Sequence, residues 1–174
     1  GVNVLGLADE PYELLDPELK SVLTEYYRVM DMHNYDELLR ALGYFTHKYG
    51  KIDRVESHNE YWLETEARLR TDFNIPGLKN NDILRVKKKS LMKQVFTHAG
   101  VKVARGQVVH TYKEAKNLIA RIGYPVVAKP DIGVGAAVTF TIHNNAQLKD
   151  FFATKPDLDY IVEEYVSGII QTFD

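Results

Sequence analysis

The sequence predicts an α/β protein whose first half is a doubly wound parallel sheet. Three observations carry this expectation. Short apolar runs alternate with segments of helical periodicity, several of those segments open on a capping residue and close on glycine, and a cluster of turn formers at residues 74–81 divides the chain. A length of 174 residues allows one domain or two small ones, with enough apolar mass for a real core.

Val2–Leu7 is an apolar run broken by Gly6 and followed by the turn-prone Asp9-Glu10-Pro11, which fits a buried parallel strand. Asp16 ahead of Pro17 supplies an N-cap with proline at the first helical position, so a brief helix is expected over Pro17–Leu23. Tyr26–Met30 reads as a strand. Asn34 with Glu37 forms a capping box, and Tyr35, Leu38, Leu39, Leu42, Phe45 and Tyr49 recur at helical spacing up to Gly50. Ile52–Glu56 is expected as a further short strand. Tyr61–Arg70 follows as a helix whose apolar stripe is interrupted by Arg68 and Arg70. Pro76, Gly77, Asn80 and Asn81 mark a linker, which puts the domains at 1–80 and 81–174.

Beyond the linker, Leu91, Met92, Val95, Phe96 and Ala99 form one apolar helix face, and Gly100 is placed to end that helix. A strand is expected at Gln107–Val109. Thr111 with Glu114 makes a second capping box, with Ala115, Leu118, Ile119 and Ile122 as the buried stripe and Gly123 as terminator. Pro125 imposes an extended start on Val126–Lys129. Val138–Ile142 alternates polar and apolar residues with heavy β-branching, as a half-buried strand does. Asn144 with Gln147 opens a last helix ending near Ala153, and Tyr160–Glu164 is the final strand.

Composition excludes several functions. The 22 basic and 24 acidic side chains give a net charge of −2, which argues against a protein built to neutralise nucleic-acid phosphates. The absence of cysteine rules out disulfide scaffolds, thiolate metal sites and cysteine nucleophiles. No apolar run reaches the ~18–20 residues of a membrane span and no leader pattern opens the chain, so a soluble cytoplasmic protein with neither membrane nor nucleic-acid partner is expected. The six histidines show no metal-ligand spacing, which makes them surface or core residues.

Three features carry chemistry. Lys129 ends an apolar strand and is followed by Gly133 and Gly135, which sets an ammonium group beside exposed backbone N–H donors and suits a polyphosphate. The same residues also fit a plain hairpin with a solvated lysine. A dinucleotide fingerprint fails because the third glycine is missing and the loop leads into a strand, and a Walker pattern fails because no Gly-Lys-Ser/Thr follows. The second feature is the basic run Arg85-Val86-Lys87-Lys88-Lys89 with Lys93 one turn on, which reads as a solvated helix face from which one lysine can be recruited. Third, Glu163 and Glu164 emerge from the end of an apolar strand, as residues at a crevice or at a strand terminus do. Asp53, Glu56 and Glu60 bracket a strand end in the first domain. Glu60 is open to a substrate contact, but structural roles fit all three.

In this order, the three features resemble the ATP-grasp superfamily, whose members include biotin carboxylase, carbamoyl phosphate synthetase and D-alanine-D-alanine ligase. The matching residues are Lys89 in Lys-Ser-Leu-Met-Lys, the run Gly123–Pro130, the loop 131–137, and the hinge Glu163-Glu164-Tyr165-Val166. Motif-level similarity covers residues 80–174, and the stretch Asn59–Glu64 resembles uncharacterised carboxylate-amine-ligase-like proteins. The fold implied is a preATP-grasp-like doubly wound parallel sheet followed by the first lobe of an ATP-grasp domain, α/β with α+β character in its second half.

The resemblance implies roles. Lys89 and Lys129 neutralise the phosphates of ATP, and the backbone of Gly133 and Gly135 closes over the terminal phosphates. Glu163 accepts from the adenine amino group, the backbone at Glu164 and Val166 reads the ring edge, and Val127 forms one side of the adenine slot. The chemistry implied is ATP-dependent ligation of a small-molecule carboxylate to an amine or thiol through an acyl phosphate, with ATP and Mg2+ as cofactors. A non-catalytic nucleotide-binding or interaction module of the same fold is the alternative. Ala136 and Ala137 replace the serine common in the flap, and Gly168-Ile169-Ile170 lacks the glutamate often found near the ribose, where Gln171 is the substitute. The metal ligands and catalytic residues are expected beyond Asp174, and the first strand with its glycine turn ahead of Gly1. The chain therefore reads as a piece of a larger ligase, inactive alone, without a metal site of its own, and a homodimer is open to it.

Overall fold

A computed structural model describes residues 1–133, 138–169 and 171. The chain divides into two compact units, Gly1–Asn81 and Asp82–Asp174.

In the first unit, β1 (Leu5–Ala8) and β2 (Glu25–Arg28) pair in parallel, joined through the short helix α1 (Pro17–Val22). Asp16 caps α1 by accepting from Glu18 N at 2.7 Å, so the Asp-Pro signal acts as expected. The first strand begins later than Val2, and the second stops at Arg28. Helix α2 (Tyr35–Tyr49) buries Leu38, Ala41, Leu42 and Phe45. Its N-terminal box differs from the expected one. Asn34 accepts from Asp36 N at 3.2 Å, while Glu37 reaches outward to Met30 N at 2.6 Å and ties the end of the β2 segment to the helix.

No strand forms at Ile52–Glu56, which corrects the expectation there. The reason is visible in α3 (Leu63–Asp72), whose side chains take up the backbone groups a ladder would have used. Arg70 donates to Val55 O, and Glu66 accepts from Ser57 N at 2.7 Å. Glu66 and Arg70 are both buried and pair at 2.7 Å one turn apart, and Glu56 joins at 2.9 Å. The two arginines that interrupt the apolar stripe are thus explained, since Arg68 lies over the Tyr35 ring, 3.5 Å from its centroid. The expected linker is partly packed: Ile75 is fully buried in the first unit's core, and Asn80 opens helix α4 (Asn80–Lys87).

In the second unit, β3 (Gly106–Val109), β4 (Val126–Pro130), β5 (Phe140–Ile142) and β6 (Tyr160–Glu164) form an antiparallel sheet in the order β3-β6-β4-β5. Helices α6 (Tyr112–Ile122) and α7 (Asn145–Thr154) cover one face. Ala115, Leu118, Leu148 and Phe151 pack there against Val126, Ala128, Tyr160 and Val162. The Thr111–Glu114 capping box closes reciprocally, whereas Gln147 accepts from His143 N in place of the Asn144 N–H. Gly50, Gly100 and Gly123 follow the helices at φ of 85°, 77° and 81°, the left-handed region that glycine enters without strain. Val138 and Thr139 precede β5 without joining it.

Helix α5 (Lys89–His98) departs most from expectation. It has no fully buried residue, and of the apolar face read from the sequence Leu91 and Met92 are half-buried while Val95 and Phe96 are exposed. The basic run is not one helix face either. Lys88 adopts an extended conformation between α4 and α5, which makes Lys89 the first residue of a new helix.

A pH prediction follows from Glu25 in β2. Hydrogen bonds from Tyr44, Tyr49 and Lys48 hold its carboxyl well below the usual value of 4.5, at about 2. Because the folded value is depressed, the stabilisation is complete above 4.5 and is lost as the pH falls toward about 2. The gap in denaturant midpoint between the native chain and Glu25→Gln is therefore expected to be widest near neutrality and to close across that window. A gap constant with pH removes the carboxylate from the account.

Candidate functional site

Alternation along β6 divides its side chains. Tyr160 and Val162 enter the core beneath α6 and α7, so Ile161 and Glu163 face the opposite side of the sheet. On that side the register sets Val127 of β4 and Gly106 of β3 directly beside Glu163, and Lys129 beside Ile161. A carboxylate on a central strand is thereby buried, with a side chain only 8% exposed, and must find positive partners. It finds two. Lys129 pairs with Oε1 from the neighbouring strand, and Lys93 of α5 lies 2.6 Å from Oε2. The Lys93 contact is ionic without the direction of a hydrogen bond, and its ammonium also donates to Ala104 O at 2.6 Å.

Lys89 and Lys93 are one turn apart, which brings both to the same side of α5. The Lys89 ammonium donates to Gly133 O at 2.9 Å, at the start of the glycine loop. The first turn of α5 is fixed by Asp131, itself 2% exposed. Its carboxylate accepts from Ser90 N at 2.7 Å and Ser90 Oγ at 2.8 Å, while its carbonyl accepts from Lys89 N at 2.9 Å. A carboxylate at a helix N-terminus satisfies orphan donors and offsets the unfavourable position of Lys89 in the first turn. Asp131 N in turn donates to Asp159 O, which ties the loop to the start of β6.

Glu164 turns to the other face of β6. Arg105 grips it from backbone and side chain at once, with N to Oε1 at 2.8 Å and Nε to Oε2 at 2.6 Å, and Glu164 N donates back to Arg105 O at 2.9 Å. These bonds hold the Glu164 carboxyl below the usual carboxylate range. Tyr165 N donates to Pro125 O at 3.2 Å, and Tyr165 and Val166 then stand exposed beyond the sheet.

The structure thus brings Lys129, Glu163 and Val127 together and places Lys89 at the loop beside Gly133. Glu164 points away from that group, Val166 is exposed, and Gly135, Ala136 and Ala137 lie outside the described residues. In the first unit Glu56 is engaged by Arg70, while Asp53 and Glu60 are exposed. A groove bordered by Lys93, Arg105, Arg121, Glu164 and Val166 runs along the β3 edge without reaching Lys129 or Glu163. The ionic cluster, rather than that concavity, holds Lys129 and Glu163. Lys93 at four residues from Lys89 carried the one signal that sequence reasoning left unused. Asp131 and Arg105 act through contacts 41 and 59 residues away in sequence and gave none.

Ammonium groups gathered on one sheet face, beside a glycine loop and ahead of an exposed strand end, are the arrangement that the motif resemblance to the ATP-grasp superfamily leads one to expect. Comparison with known proteins agrees. Residues 88–159 match the family model described as carbamoyl-phosphate synthase L chain, ATP binding domain. The chain is 30% identical over 111 residues to an L-arginine-specific L-amino acid ligase of Bacillus subtilis, covering 64% of this chain and 27% of that protein. It is 30% identical over 77 residues to the arginine-specific carbamoyl phosphate synthase large chain of Bacillus subtilis strain 168, covering 43% of this chain and 8% of the relative. In three dimensions it is similar to the biotin carboxylase domain of Hydrogenobacter thermophilus 2-oxoglutarate carboxylase in complex with MgADP. That likeness has a TM-score of 0.70 at 21% identity and covers 95% of this chain and 39% of that one. The Staphylococcus aureus N5-carboxyaminoimidazole synthetase complexed with ADP gives 0.67 at 19% identity, over 94% and 41%. The ATP-grasp resemblance read from the motifs stands on these matches, and the fold is the one these neighbours share. The chain spans about a quarter or less of the length of these two curated relatives.

Among the described residues no group of three or more histidine, aspartate or glutamate side chains is arranged to hold a metal ion, so they offer no fit for magnesium. No helix among them is long and apolar enough to cross a membrane.

Gly106 is the tightest point of the site. A Cβ there would lie 2.5 Å from Glu163 Cβ and 2.6 Å from Val162 O. Gly106→Ala is expected to push β3 off β6 and cost about 1–3 kcal/mol in denaturant unfolding. Unchanged stability would show that β3 moves aside freely.

Proposed function

We propose that this chain supplies the nucleotide-binding portion of an ATP-dependent carboxylate-amine or carboxylate-thiol ligase. The observation that carries the reading is the convergence of Lys89, Lys93 and Lys129 on the sheet face and loop that the family model spans. Lys129 and Lys89 hold the phosphates, with the backbone of Gly133 at their outer end. Val127 covers one face of the adenine, the Glu163 carboxylate accepts from its amino group, and the backbone at Glu164 and Val166 pairs with its edge. The residues present fit a polyphosphate, because the ammonium groups outnumber the one carboxylate they contact and leave positive charge to spare.

ATP supplies the phosphoryl group. A substrate carboxylate oxygen forms a bond to the terminal phosphorus as the bond to ADP breaks, and the amine or thiol then displaces phosphate from the acyl carbon. Positioning and charge neutralisation dominate such a transfer, which is the work that lysines on a rigid sheet and a capped helix perform. The acid and the nucleophile are small molecules bound by parts of the protein other than this site, and Mg2+ is held by residues outside those described. We place the protein in the cytoplasm.

Calorimetric titration with ATP and Mg2+ tests the reading. Binding by the 174-residue chain is expected, and Lys129→Ala, which leaves Glu163 its Lys93 partner, should weaken it by about 1.5–3 kcal/mol. Equal binding by the variant removes Lys129 from the phosphate site. An unsubstituted chain that binds nothing at millimolar ATP overturns the assignment of a nucleotide to this chain.

A further inference from the structure

Two ammonium groups share one buried carboxylate. Glu163 is 8% exposed, Lys93 19% and Lys129 30%, so the cluster carries one positive charge beyond what the carboxylate needs. On the nucleotide reading above, on which this inference rests, Lys129 turns from Glu163 toward a phosphate. A departing Lys129 leaves behind a carboxylate with little water to replace it, and an uncompensated buried charge is costly. The groups that face Glu163 are Lys129 from β4 and Lys93 from α5, while β3 presents only Gly106. Among the described residues Lys93 is the cation that remains.

We infer that Lys93 is a positioning residue for nucleotide binding: it holds Glu163 ionised and in place so that Lys129 is free to leave it for the phosphates. Lys93 is suited to stay. Its ammonium is fixed from the far side by Ala104 O, and its stem belongs to a helix whose N-terminus is anchored by Asp131. Lys129 is the more exposed of the two, and among the described residues Glu163 is its ionic partner. The arrangement separates two duties between lysines that the sequence presents as equivalents. One compensates the carboxylate in every state, and the other compensates it only until an anion arrives.

The test compares Lys93→Met and Lys93→Arg with the native chain by ATP titration in two buffers of different ionisation heat, which counts protons taken up on binding. Lys93→Met keeps the Lys129–Glu163 pair and stays folded without ligand. It is expected to bind ATP on the order of tenfold to a hundredfold more weakly. It should also take up as much as one more proton per nucleotide than the native chain does, as Glu163 neutralises itself. Lys93→Arg is expected to restore both quantities, which a merely packing role for the side chain would not produce. Native affinity and native proton count in Lys93→Met overturn the inference, as does an arginine variant that restores neither.

If the native chain binds no nucleotide, the nucleotide reading fails on its own and the clamp is read from unfolding. Lys129→Met with Lys93 present should melt near the native temperature, and the Lys93→Met, Lys129→Met double variant should fall well below the sum of the two single changes. Additive losses overturn the clamp.

Discussion

Helix α5 is held to its sheet by charge rather than by apolar burial, and the candidate site depends on that. A helix with no fully buried residue has little hydrophobic reason to stay where it is. Two carboxylates on or beside the sheet supply the reason. Asp131 grips its first turn through Ser90, and Glu163 takes the Lys93 ammonium one turn further on. Because both anchors are buried, both bonds work in a medium that screens them weakly, and each fixes position as well as proximity. Lys89 is thereby delivered to the glycine loop as a by-product of how the helix is moored.

The strand that bears Glu163 is fixed from both of its faces. Consecutive glutamates point to opposite sides, and each has a cation of its own: Glu163 the lysines, Glu164 the guanidinium of Arg105. Arg105 immediately precedes Gly106, whose missing side chain lets β3 approach Glu163 closely. One short segment therefore clamps the end of β6 on one face and makes room for it on the other. Tyr165 and Val166 leave the sheet from a strand end that is already tied on both sides, to Arg105 O and to Pro125 O.

Much of this was legible from local signals. The Asp-Pro start of α1, the Thr111–Glu114 box, Gly123 and the strand Tyr160–Glu164 all follow from short-range chemistry and are found where that chemistry places them. What failed did so where tertiary contacts outvote local pattern. Ile52–Glu56 has strand composition, but Arg70 and Glu66 take up backbone groups that a ladder would need. The apolar positions of α5 have helical spacing, yet polar ties decide which side of the helix meets the sheet. Within the site, Lys129 and Glu163 were readable because each ends an apolar strand. Lys93 was visible as a lysine one turn from Lys89, though its partner was not, and Asp131 and Arg105 were not readable, because ionic partners distant in sequence leave no periodic trace.

The strand order carries a consequence for the chain as it is made. β4 and β5 pair as neighbours in sequence, but among the described residues β3 pairs with β6 alone, the last of the four strands in sequence. Until residues 160–164 emerge from the ribosome, β3 is an unpaired edge and the lysines have no carboxylate to meet. Sheet closure and assembly of the ionic cluster are then a single late event, set by long-range pairing that is slow by nature. A nascent chain halted before Tyr160 holds Lys93 and Lys129 but not the carboxylate that organises them, so the cluster is completed all at once, with the final strand.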